Sequence, residues 1–561
     1  MKSDITKRGA SATEICTVAF EEKKVDAIFA NLDQCQLPGA AVGIAIGGRP
    51  VYRKGFGLAN MELPIVLSPT VRMRIASTSK HFACFAYMLL CEEGRSGLDD
   101  PVGRHLPELH PVTHKITMSQ LMGNTSGLRD VCDVRMQFSG TQKQVPSAEL
   151  LSLYQDIDDV NVAPGQEWIY NSGGFLILTA VIERITRQPL EKVLRDRVFD
   201  PVGMHNTLLR RFDTDFLNNS AALHMVNSSG SYEKWCLGGA LAGEGGIVST
   251  VDDMLRWLAH MARPTIGSAA TWAAMKTSQI LANGTSTGYG LGLMIGDYRG
   301  VETLNHWGSW TGGSAQMLKV PNADLDVVVL TNRYDAWAML LTERVLDACL
   351  PFLDPIREAI HSRASGTLRS PTTGRVIQLV ASSTFPWNRG ANQFVSIDGL
   401  DMPLEYDEDR KLWCVRTFGF AKQTLALMGN ADEPASIRLT GFGNVDEFFT
   451  IPAADELTGG AEMVGTYRSR STCTEATITE CGGGVRLCTV GKFGSAEFSL
   501  ECLAKHTWRA RSIGAMPWGG ILSFDAHGSG FHYSNFFNRS LFFERHRDLR
   551  VSETRPQWWH S

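Results

Sequence analysis

Ser77 and Lys80 have types and a spacing that could carry out nucleophilic chemistry, in the segment Ser77-Thr78-Ser79-Lys80. In the first turn of a helix, side chains at this spacing share one face, and the helix N-terminus favours negative charge developing near Ser77. A serine hydroxyl needs a neighbouring base to take its proton, and a lysine acts as that base when burial or a nearby cation lowers its pKa. The apolar residues after Lys80 predict a helix that buries this turn. The spacing also fits a capped helix with a surface lysine.

Tyr170 and His306 are further candidates for chemistry. Tyr170 lies in a loop before a predicted helix, where it fits either a structural role or a phenol that shuttles a proton. His306 is followed by Gly308, which would let a substrate backbone approach the strand. Ser309 comes next, and its N–H could complete an oxyanion hole with the N–H of Ser77. Taken alone, His306 also fits a packed polar residue.

Strands and helices alternate over the first two-thirds of the chain and must position these residues. Their periodicity predicts the type of each element, and turn or capping residues predict the ends. The predicted elements are a hairpin over 41–59, a helix that follows Ser77 and stops at Gly94, a helix over 175–199 broken near Pro189, a helix that starts at Ser249-Thr250 with Asp252 and Asp253 placed for capping, strands over 314–320 and 325–332, and a helix over 336–350.

Short β-type segments and Gly-rich turns replace the helical pattern after Pro355, which indicates an all-β region. This region contains a repeat. The segment Gly366-Thr367-Leu368-Arg369-Ser370 recurs 99 residues later as Gly465-Thr466-Tyr467-Arg468-Ser469, and Phe448-Phe449 recurs 94 residues later as Phe542-Phe543. Each unit of about 95 residues is long enough for one small antiparallel β-barrel.

Composition limits the function classes. The chain has 561 residues and a formal net charge of −5, which argues against nucleic acid as the main partner. No apolar run is long enough for a membrane span, and the N-terminus lacks the apolar region of a secretory signal. The twelve cysteines contain no C-x-x-C pair and no zinc spacing, so reduced thiols, no metal site and a cytoplasmic location are expected.

The order S-x-x-K, Tyr and H-x-G resembles the penicillin-recognising serine hydrolases, which include class C β-lactamases and DD-peptidases. Three further segments, over 98–102, 121–128 and 200–204, are typical of this family, and the resemblance covers roughly residues 30–345. It implies an α+β fold with a β-lactamase-like catalytic domain, an antiparallel sheet flanked by helices, over 1–356. Two small lipocalin-like antiparallel β-barrel domains are expected to follow over 357–457 and 458–561.

The resemblance also implies roles for the candidate residues. Ser77 would be the acylated nucleophile, Lys80 its base or electrostatic partner, Tyr170 the proton shuttle and His306 part of the third motif. The expected oxyanion and substrate-binding set is Asn124, Asn171, Ser172, Trp307, Gly308 and Ser309. The family usually has Tyr-x-Asn, whereas here Asn171 directly follows the tyrosine and Ser172 holds the third position. Either the loop is shifted by one residue or Ser172 takes the polar role.

Within the family, the box over 124–130 and the repeated β-region resemble the D-aminopeptidases. In those enzymes a loop from the last domain narrows the active site, and Arg509–Gly520 is the candidate here, although an ordinary turn between strands fits as well. The expected activity is hydrolysis of small or linear peptides near a D-residue, for example linearised microcystin, without a cofactor. Alternatives are an esterase or weak β-lactamase, or a penicillin-binding receptor that acylates without turnover. A homodimer is compatible with this assignment.

Overall fold

The computed structural model describes residues 18–227, 229–355, 364–381, 393–408, 410–415, 423–429, 434–452, 460–482, 484–513, 519–525 and 527–546. The α-helices are α1 Glu22–Phe29, α2 Lys80–Glu92, α3 Val102–His105, α4 Met118–Met122, α5 Val131–Ser139, α6 Ser147–Leu151, α7 Leu153–Asp156, α8 Gly173–Thr186, α9 Leu190–Leu194, α10 Asp200–Val202, α11 Val251–Ala262, α12 Ala269–Met275, α13 Ala338–Cys349 and α14 Gly460–Met463. Short 3₁₀ turns cover Ala30–Leu32, Ala76–Ser79, Pro111–Thr113 and Pro321–Ala323, and a π-helical turn covers Arg195–Phe199.

The strands of the N-terminal region are β1 Ala40–Ile46, β2 Arg49–Phe56, β3 Leu58–Asn60, β4 Ile65–Val66, β5 Met73–Arg74, β6 Leu208–Leu209, β7 Leu223–Val226, β8 Tyr232–Trp235, β9 Ile247–Ser249, β10 Met294–Tyr298, β11 Val301–Trp310, β12 Gly313–Val320 and β13 Leu325–Thr331. The later strands are β14 Gly366–Arg369, β15 Val376–Val380, β16 Phe394–Ile397, β17 Leu400–Asp407, β18 Leu412–Val415, β19 Gln423–Gly429, β20 Pro434–Gly441, β21 Asn444–Thr450, β22 Gly465–Ser469, β23 Thr474–Cys481, β24 Gly484–Gly491, β25 Gly494–Ala504, β26 Thr507–Ser512, β27 Gly519–Phe524, β28 Gly530–Ser534 and β29 Leu541–Arg545.

A six-stranded antiparallel sheet lies at the centre of the N-terminal region, in the order β10-β11-β12-β13-β1-β2. Both of its faces are buried. Ala41 and Ala45 of β1 join the core that contains α11, whereas Val42 and Ile44 join the core formed with α1 and α13. Burial on both faces explains why β1 is an unbroken apolar run rather than an alternating one. The arrangement confirms the predicted α+β class.

The helix that follows Ser77 is among the most buried elements of this region. Residues 80–88 and Leu90 of α2 are all buried, and Gly94 lies in the left-handed region at φ 68° just beyond the helix, as predicted. The helix that begins near Thr250 is also confirmed, but its cap differs from the expectation. The Thr250 hydroxyl accepts the N–H of Asp253 at 3.1 Å, while the Asp253 carboxylate bonds to Asn206 and Thr207 instead.

Two closed antiparallel barrels follow, β14–β21 and β22–β29, each with eight strands in the described part of the chain. They confirm the predicted repeat. Phe448 on β21 and Phe543 on β29 are fully buried, whereas Phe449 and Phe542 are exposed. The equivalent interior positions are therefore 448 and 543. These lie 95 residues apart, one residue more than the 94 that separate the two Phe-Phe pairs.

Both barrels pack against the N-terminal region on the side of Tyr170. Phe138 of α5 enters the core of the second barrel, with ring centroids 5.0 Å from Tyr533 and 5.4 Å from Phe543. Phe442 of the first barrel lies 5.0 Å from the ring of Trp168 and accepts the Trp168 N–H on its carbonyl. The first barrel is thus attached beside the segment that carries Tyr170, and the second barrel is attached at α5.

Within the described residues, no helix is long and apolar enough to cross a membrane. The described cysteines form no disulfide bond with one another; Cys16 lies outside this part of the chain.

Candidate active site

Ser77 lies in a strained turn between β5 and α2. Ala76, directly before it, has a φ of 46°, in the left-handed region that residues with a Cβ rarely occupy. The N–H of Ile75 donates to the Ile247 carbonyl at 3.0 Å, which anchors this turn to β9. Non-glycine residues in this region cost free energy and tend to occur at functional sites. The strained residue thus lies directly before Ser77, which is half-buried.

Lys80 is fully buried and lies at the centre of the site. Its Nζ is 3.1 Å from Ser77 Oγ, 3.3 Å from Ser172 Oγ and 2.8 Å from the Glu244 carbonyl oxygen. An ammonium group has three N–H donors, so these three acceptors use all of them. The same Nζ lies 4.8 Å from the centroid of the Tyr170 ring.

The Tyr170 hydroxyl is buried and has no hydrogen-bond partner among the described residues. Its ring contacts Lys80 and lies roughly parallel to Trp307, with centroids 6.3 Å apart. A buried hydroxyl without a partner loses the hydrogen bond that water would give, so such a group is rare in a folded protein. Tyr170 therefore has hydrogen-bonding capacity left for a reacting group.

Ser172, rather than Asn171, lies against Lys80. The Asn171 side chain bonds the Leu128 carbonyl at 2.8 Å and the Gly174 N–H at 2.8 Å, so its amide is occupied by backbone. Asn124, at φ 57°, accepts the Asn171 N–H on Oδ1 at 3.1 Å. Asn124 and Asn171 thus brace the loop, and Ser172 holds the position that can reach the reacting groups.

His306 lies within the fully buried part of β11. Its Nε2 is 3.0 Å from the Tyr289 hydroxyl and its Nδ1 is 2.6 Å from the Trp307 carbonyl. Burial and the charge of Lys80 lower the pKa of His306 to about 3, so its imidazole is neutral near pH 7. The His306 carbonyl accepts the Thr78 hydroxyl at 3.1 Å, which joins β11 to the turn carrying Ser77.

Gly308 lets β11 pass directly against the backbone of Ser77. A Cβ at this position would lie 2.1 Å from the Ile75 carbonyl oxygen and 3.1 Å from the Ser77 nitrogen. Within the described residues, β10 pairs with β11 only as far as Asn305, so one edge of residues 306–310 has no strand partner. Trp307 and Ser309 are partly exposed beside this edge. Gly308 thus brings the strand that carries Ser309 against the backbone of Ser77.

Asp130, the last residue of the segment over 124–130, is a positioning residue that the sequence did not single out. Its buried carboxylate accepts the N–H groups of Ser172 at 2.8 Å and Gly173 at 3.0 Å, and it also caps α5. Burial raises the pKa of Asp130, while the N–H donors and Lys80 act in the opposite direction. The usable sequence signal was an aspartate immediately before the helix over 131–139.

A turn of the second barrel completes the site. Residues 535–540 join β28 to β29, and Phe537 lies 6.4 Å from the Tyr170 ring, between centroids. Arg539 of the same turn pairs with Glu167 at 2.7 Å. The predicted loop Arg509–Gly520 instead begins and ends in the paired strands β26 and β27, with 514–518 outside the described residues. Its Arg509 contacts the first barrel through Ser396.

Within the described residues, no group of three or more His, Cys, Asp and Glu side chains could hold a metal ion. The arrangement around Ser77 instead combines a hydroxyl next to a strained residue, a buried lysine, an unpartnered phenol and a glycine that brings β11 against the Ser77 backbone. Such a set can support acyl transfer through a covalent intermediate.

Comparison with known proteins gives three findings. A family model described as Beta-lactamase matches residues 25–348. The D-aminopeptidase of Brucella canis is 25% identical over 354 residues, which are 61% of this chain and 65% of that protein. The D-aminopeptidase of Brucella anthropi is 25% identical over 353 residues, with the same coverage. The chain therefore spans just under two-thirds of the length of these relatives.

Solved structures share the fold. The octameric penicillin-binding protein homologue from Pyrococcus abyssi has a TM-score of 0.56 and 20% identity, and the match covers 76% of this chain and all of that one. The D-amino acid amidase from Ochrobactrum anthropi SV3, complexed with L-phenylalanine amide, has a TM-score of 0.50 and 21% identity, covering 58% of this chain and 97% of that one.

Proposed function

Because the chain belongs to the β-lactamase family, we propose that it is a serine hydrolase that cleaves amide bonds of small or linear peptides through an acyl-enzyme on Ser77. The observation that carries this proposal is the position of Lys80 Nζ, 3.1 Å from Ser77 Oγ and 3.3 Å from Ser172 Oγ, below an unpartnered Tyr170 hydroxyl. A buried ammonium beside a serine hydroxyl stabilises the alkoxide that attack requires.

The hydrogen bonds of Lys80 support separate roles for Lys80 and Tyr170. Its Nζ lies within hydrogen-bond distance of three oxygens, those of the Ser77 and Ser172 hydroxyls and of the Glu244 carbonyl, and these match the three N–H groups of an ammonium. Tyr170 is the nearby titratable hydroxyl with capacity to spare. We therefore assign Lys80 the electrostatic role and Tyr170 the proton transfer.

In the proposed acylation step, Ser77 Oγ attacks the amide carbonyl carbon, and its proton passes to the Tyr170 oxygen while that hydroxyl releases its own proton toward the amide nitrogen. The carbonyl oxygen becomes an oxyanion that the N–H groups of Ser77 and Ser309 stabilise. The amide nitrogen takes up the proton released by Tyr170, the C–N bond breaks and the amine leaves. The acyl group remains as an ester on Ser77.

Deacylation repeats these steps with water. Tyr170 takes a proton from the water as it attacks the ester carbonyl, and the same N–H groups hold the second oxyanion. The bond from the carbonyl carbon to Ser77 Oγ breaks, and Ser77 regains a proton from Tyr170. No step requires a cofactor or a metal.

We propose a substrate with a D-amino acid at the acyl side of the scissile bond. The relatives that are D-aminopeptidases support this assignment. Tyr170, Trp307 and Phe537 form an aromatic wall at the site, against which an apolar side chain of such a substrate would pack. A linear peptide rich in D-residues, such as linearised microcystin, is the specific candidate.

The test is a panel of D- and L-amino acid p-nitroanilides, nitrocefin and p-nitrophenyl acetate, with Ser77→Ala as the control. The proposal expects turnover of D-amides that is lost in the Ser77 variant. Faster turnover of the ester or of nitrocefin than of every amide would favour an esterase or a β-lactamase that uses the same residues. A burst of labelling with no steady turnover would indicate a receptor.

A further inference from the structure

Arg74 and Asp213 form a buried ion pair that no step of the proposed mechanism uses. Arg74 Nε is 2.9 Å from Asp213 Oδ1, and the two side chains are 1% and 4% exposed. Arg74 lies on β5, three residues before Ser77. Burying two charges is costly unless their geometry and further hydrogen bonds compensate, so the contacts of this pair indicate what it holds in place.

The other oxygen of Asp213 faces the end of β11. Asp213 Oδ2 accepts the indole N–H of Trp310 at 2.9 Å and the N–H of Leu237 at 3.1 Å. Trp310 directly follows Ser309, whose N–H is the second donor of the proposed oxyanion hole. A single carboxylate therefore connects the strand before Ser77 with the residue after Ser309.

Arg74 makes further contacts on the side of Lys80. Its Nη1 donates to the carbonyls of Arg210 and Gly246, each at 3.2 Å. Gly246 lies two residues after Glu244, whose carbonyl accepts Lys80 Nζ. The guanidinium thus fixes the segment that holds the lysine as well as the strand that carries the serine.

The charges around Asp213 keep it ionised. Burial raises the pKa of Asp213, but the charge of Arg74 and the hydrogen bonds from Trp310 and Leu237 outweigh burial, so the net shift is downward. Arg210 adds a second cation, with Nη2 at 3.2 Å from Asp213 Oδ1. The carboxylate is therefore a constant acceptor for the Trp310 indole near neutral pH.

We propose that Asp213, held by Arg74, is a positioning residue that sets the distance between the N–H groups of Ser309 and Ser77 by fixing the Trp310 indole. The proposal rests on the proposed function, because it assigns the oxyanion hole to these two groups. It predicts that the pair acts on the tetrahedral intermediate and leaves substrate binding largely unchanged. Loss of the indole hydrogen bond frees the end of β11 without touching Ser77, Lys80 or Tyr170.

The experiment compares Trp310→Phe with Trp272→Phe. Trp272 is a matched control, because its buried indole also donates one hydrogen bond, to the Ile266 carbonyl at 3.0 Å, outside the site. Three quantities are measured: kcat and KM on a D-amide, the affinity of an arylboronic acid and the mass of its adduct on Ser77. A boronic acid forms a tetrahedral adduct, so its affinity reports the oxyanion hole without turnover.

The expected result is that Trp310→Phe lowers kcat and boronate affinity together by about 10- to 100-fold, with KM within about threefold. Trp272→Phe should leave both unchanged. Asp213→Asn keeps an acceptor for the indole but loses the charge that faces Arg74. Its kcat and boronate affinity should lie between those of the wild type and those of Trp310→Phe.

Two failures are distinguishable. If the wild type forms the adduct and Trp310→Phe matches it in kcat and boronate affinity, the positioning role is wrong and the proposed function stands. If the wild type shows neither turnover nor an adduct on Ser77, the proposed function fails and this proposal fails with it. The positioning role is also wrong if Trp310→Phe is less stable than the wild type and changes KM and boronate affinity by the same factor.

Discussion

The side-chain amide of Asn538, on the second barrel, brackets the main chain of Asp130. The Asp130 N–H donates to Asn538 Oδ1 at 2.9 Å, and Asn538 Nδ2 donates to the Asp130 carbonyl at 3.1 Å. Because the Asp130 carboxylate also holds the N–H of Ser172, the barrel turn is connected to the loop that faces Lys80. The C-terminal region therefore supports the site, in addition to walling it with Phe537.

Replacement of Gly308 by alanine should nearly abolish activity. The added Cβ would lie 2.1 Å from the Ile75 carbonyl oxygen, so β11 must move away from the Ser77 backbone. Loss of one oxyanion donor lowers kcat by about 100-fold or more, which steady-state kinetics on a D-amide would detect. Gly97→Ala is the control, since its Cβ meets only ordinary contacts at 3.7 Å. A Gly308→Ala enzyme with wild-type kcat would contradict this assignment.

Ser172→Ala and Asn171→Ala should separate chemistry from folding. The Ser172 hydroxyl contacts Lys80, so its loss should lower kcat by about tenfold with little change in stability. The Asn171 amide bonds the backbone of Leu128 and Gly174 and is 2% exposed, so its loss should lower the free energy of unfolding by about 1–3 kcal/mol. Kinetics and urea unfolding of both variants test this pair. If Asn171→Ala alone had a lower kcat while remaining as stable as the wild type, Asn171 and not Ser172 would have the chemical role.

The pH dependence of kcat/KM should show no step from His306 between pH 5 and pH 8. Burial and the charge of Lys80 lower the pKa of His306 to about 3, so the neutral imidazole persists through this range. His306→Gln should change the height of the profile but not its inflections. A wild-type inflection near the ordinary histidine pKa of about 6.5 that disappears in His306→Gln would show that the imidazole titrates during catalysis.

Asp133 should make the folded protein more stable as pH falls from 7 to 4. Burial and the nearby Asp130 charge raise the pKa of Asp133 to about 6, despite hydrogen bonds from Asn535 and Asn538. The folded state then binds more protons than the unfolded state between the two pKa values, so the free energy of unfolding decreases as pH rises.

Urea unfolding of wild type and Asp133→Asn across this pH range measures the effect. The difference in free energy of unfolding, wild type minus variant, should fall by about 1–3 kcal/mol from pH 4 to pH 7. Taking this difference cancels the pH-dependent contributions of the carboxylates that titrate in both proteins. A difference that stays constant with pH, or rises with it, would contradict the raised pKa.

The sequence predicted features that local patterns determine. Apolar periodicity located α2 and α11, and recurring segments near Gly366 and Gly465 located the barrels, because each signal lies within one element or one repeat. Ser77 and Lys80 were readable because they lie one turn apart. The ambiguity between Asn171 and Ser172 was not resolvable, since it depends on which side chain the loop directs toward Lys80.

Contacts between distant segments could not be predicted. The Asn538 amide reaches Asp130 across 408 residues, and Trp310 reaches Asp213 across 97. No pattern in either segment specifies the other, because polar pairing depends on the packing of both barrels and of β11. The expectation for Arg509–Gly520 stays a prediction, because residues 514–518 lie outside the described residues, whereas no local pattern indicated that the turn over 535–540 places Phe537 beside Tyr170.

The central claim is that Ser77 carries the acyl group of the substrate. The most direct measurement is mass spectrometry of the protein quenched during turnover of a panel of L- and D-containing peptides, followed by peptide mapping. We expect an added mass equal to the acyl part of a D-residue substrate, located on the peptide that contains Ser77, and no added mass in Ser77→Ala. Turnover by Ser77→Ala at the wild-type rate, or an acyl group on another residue, would contradict it.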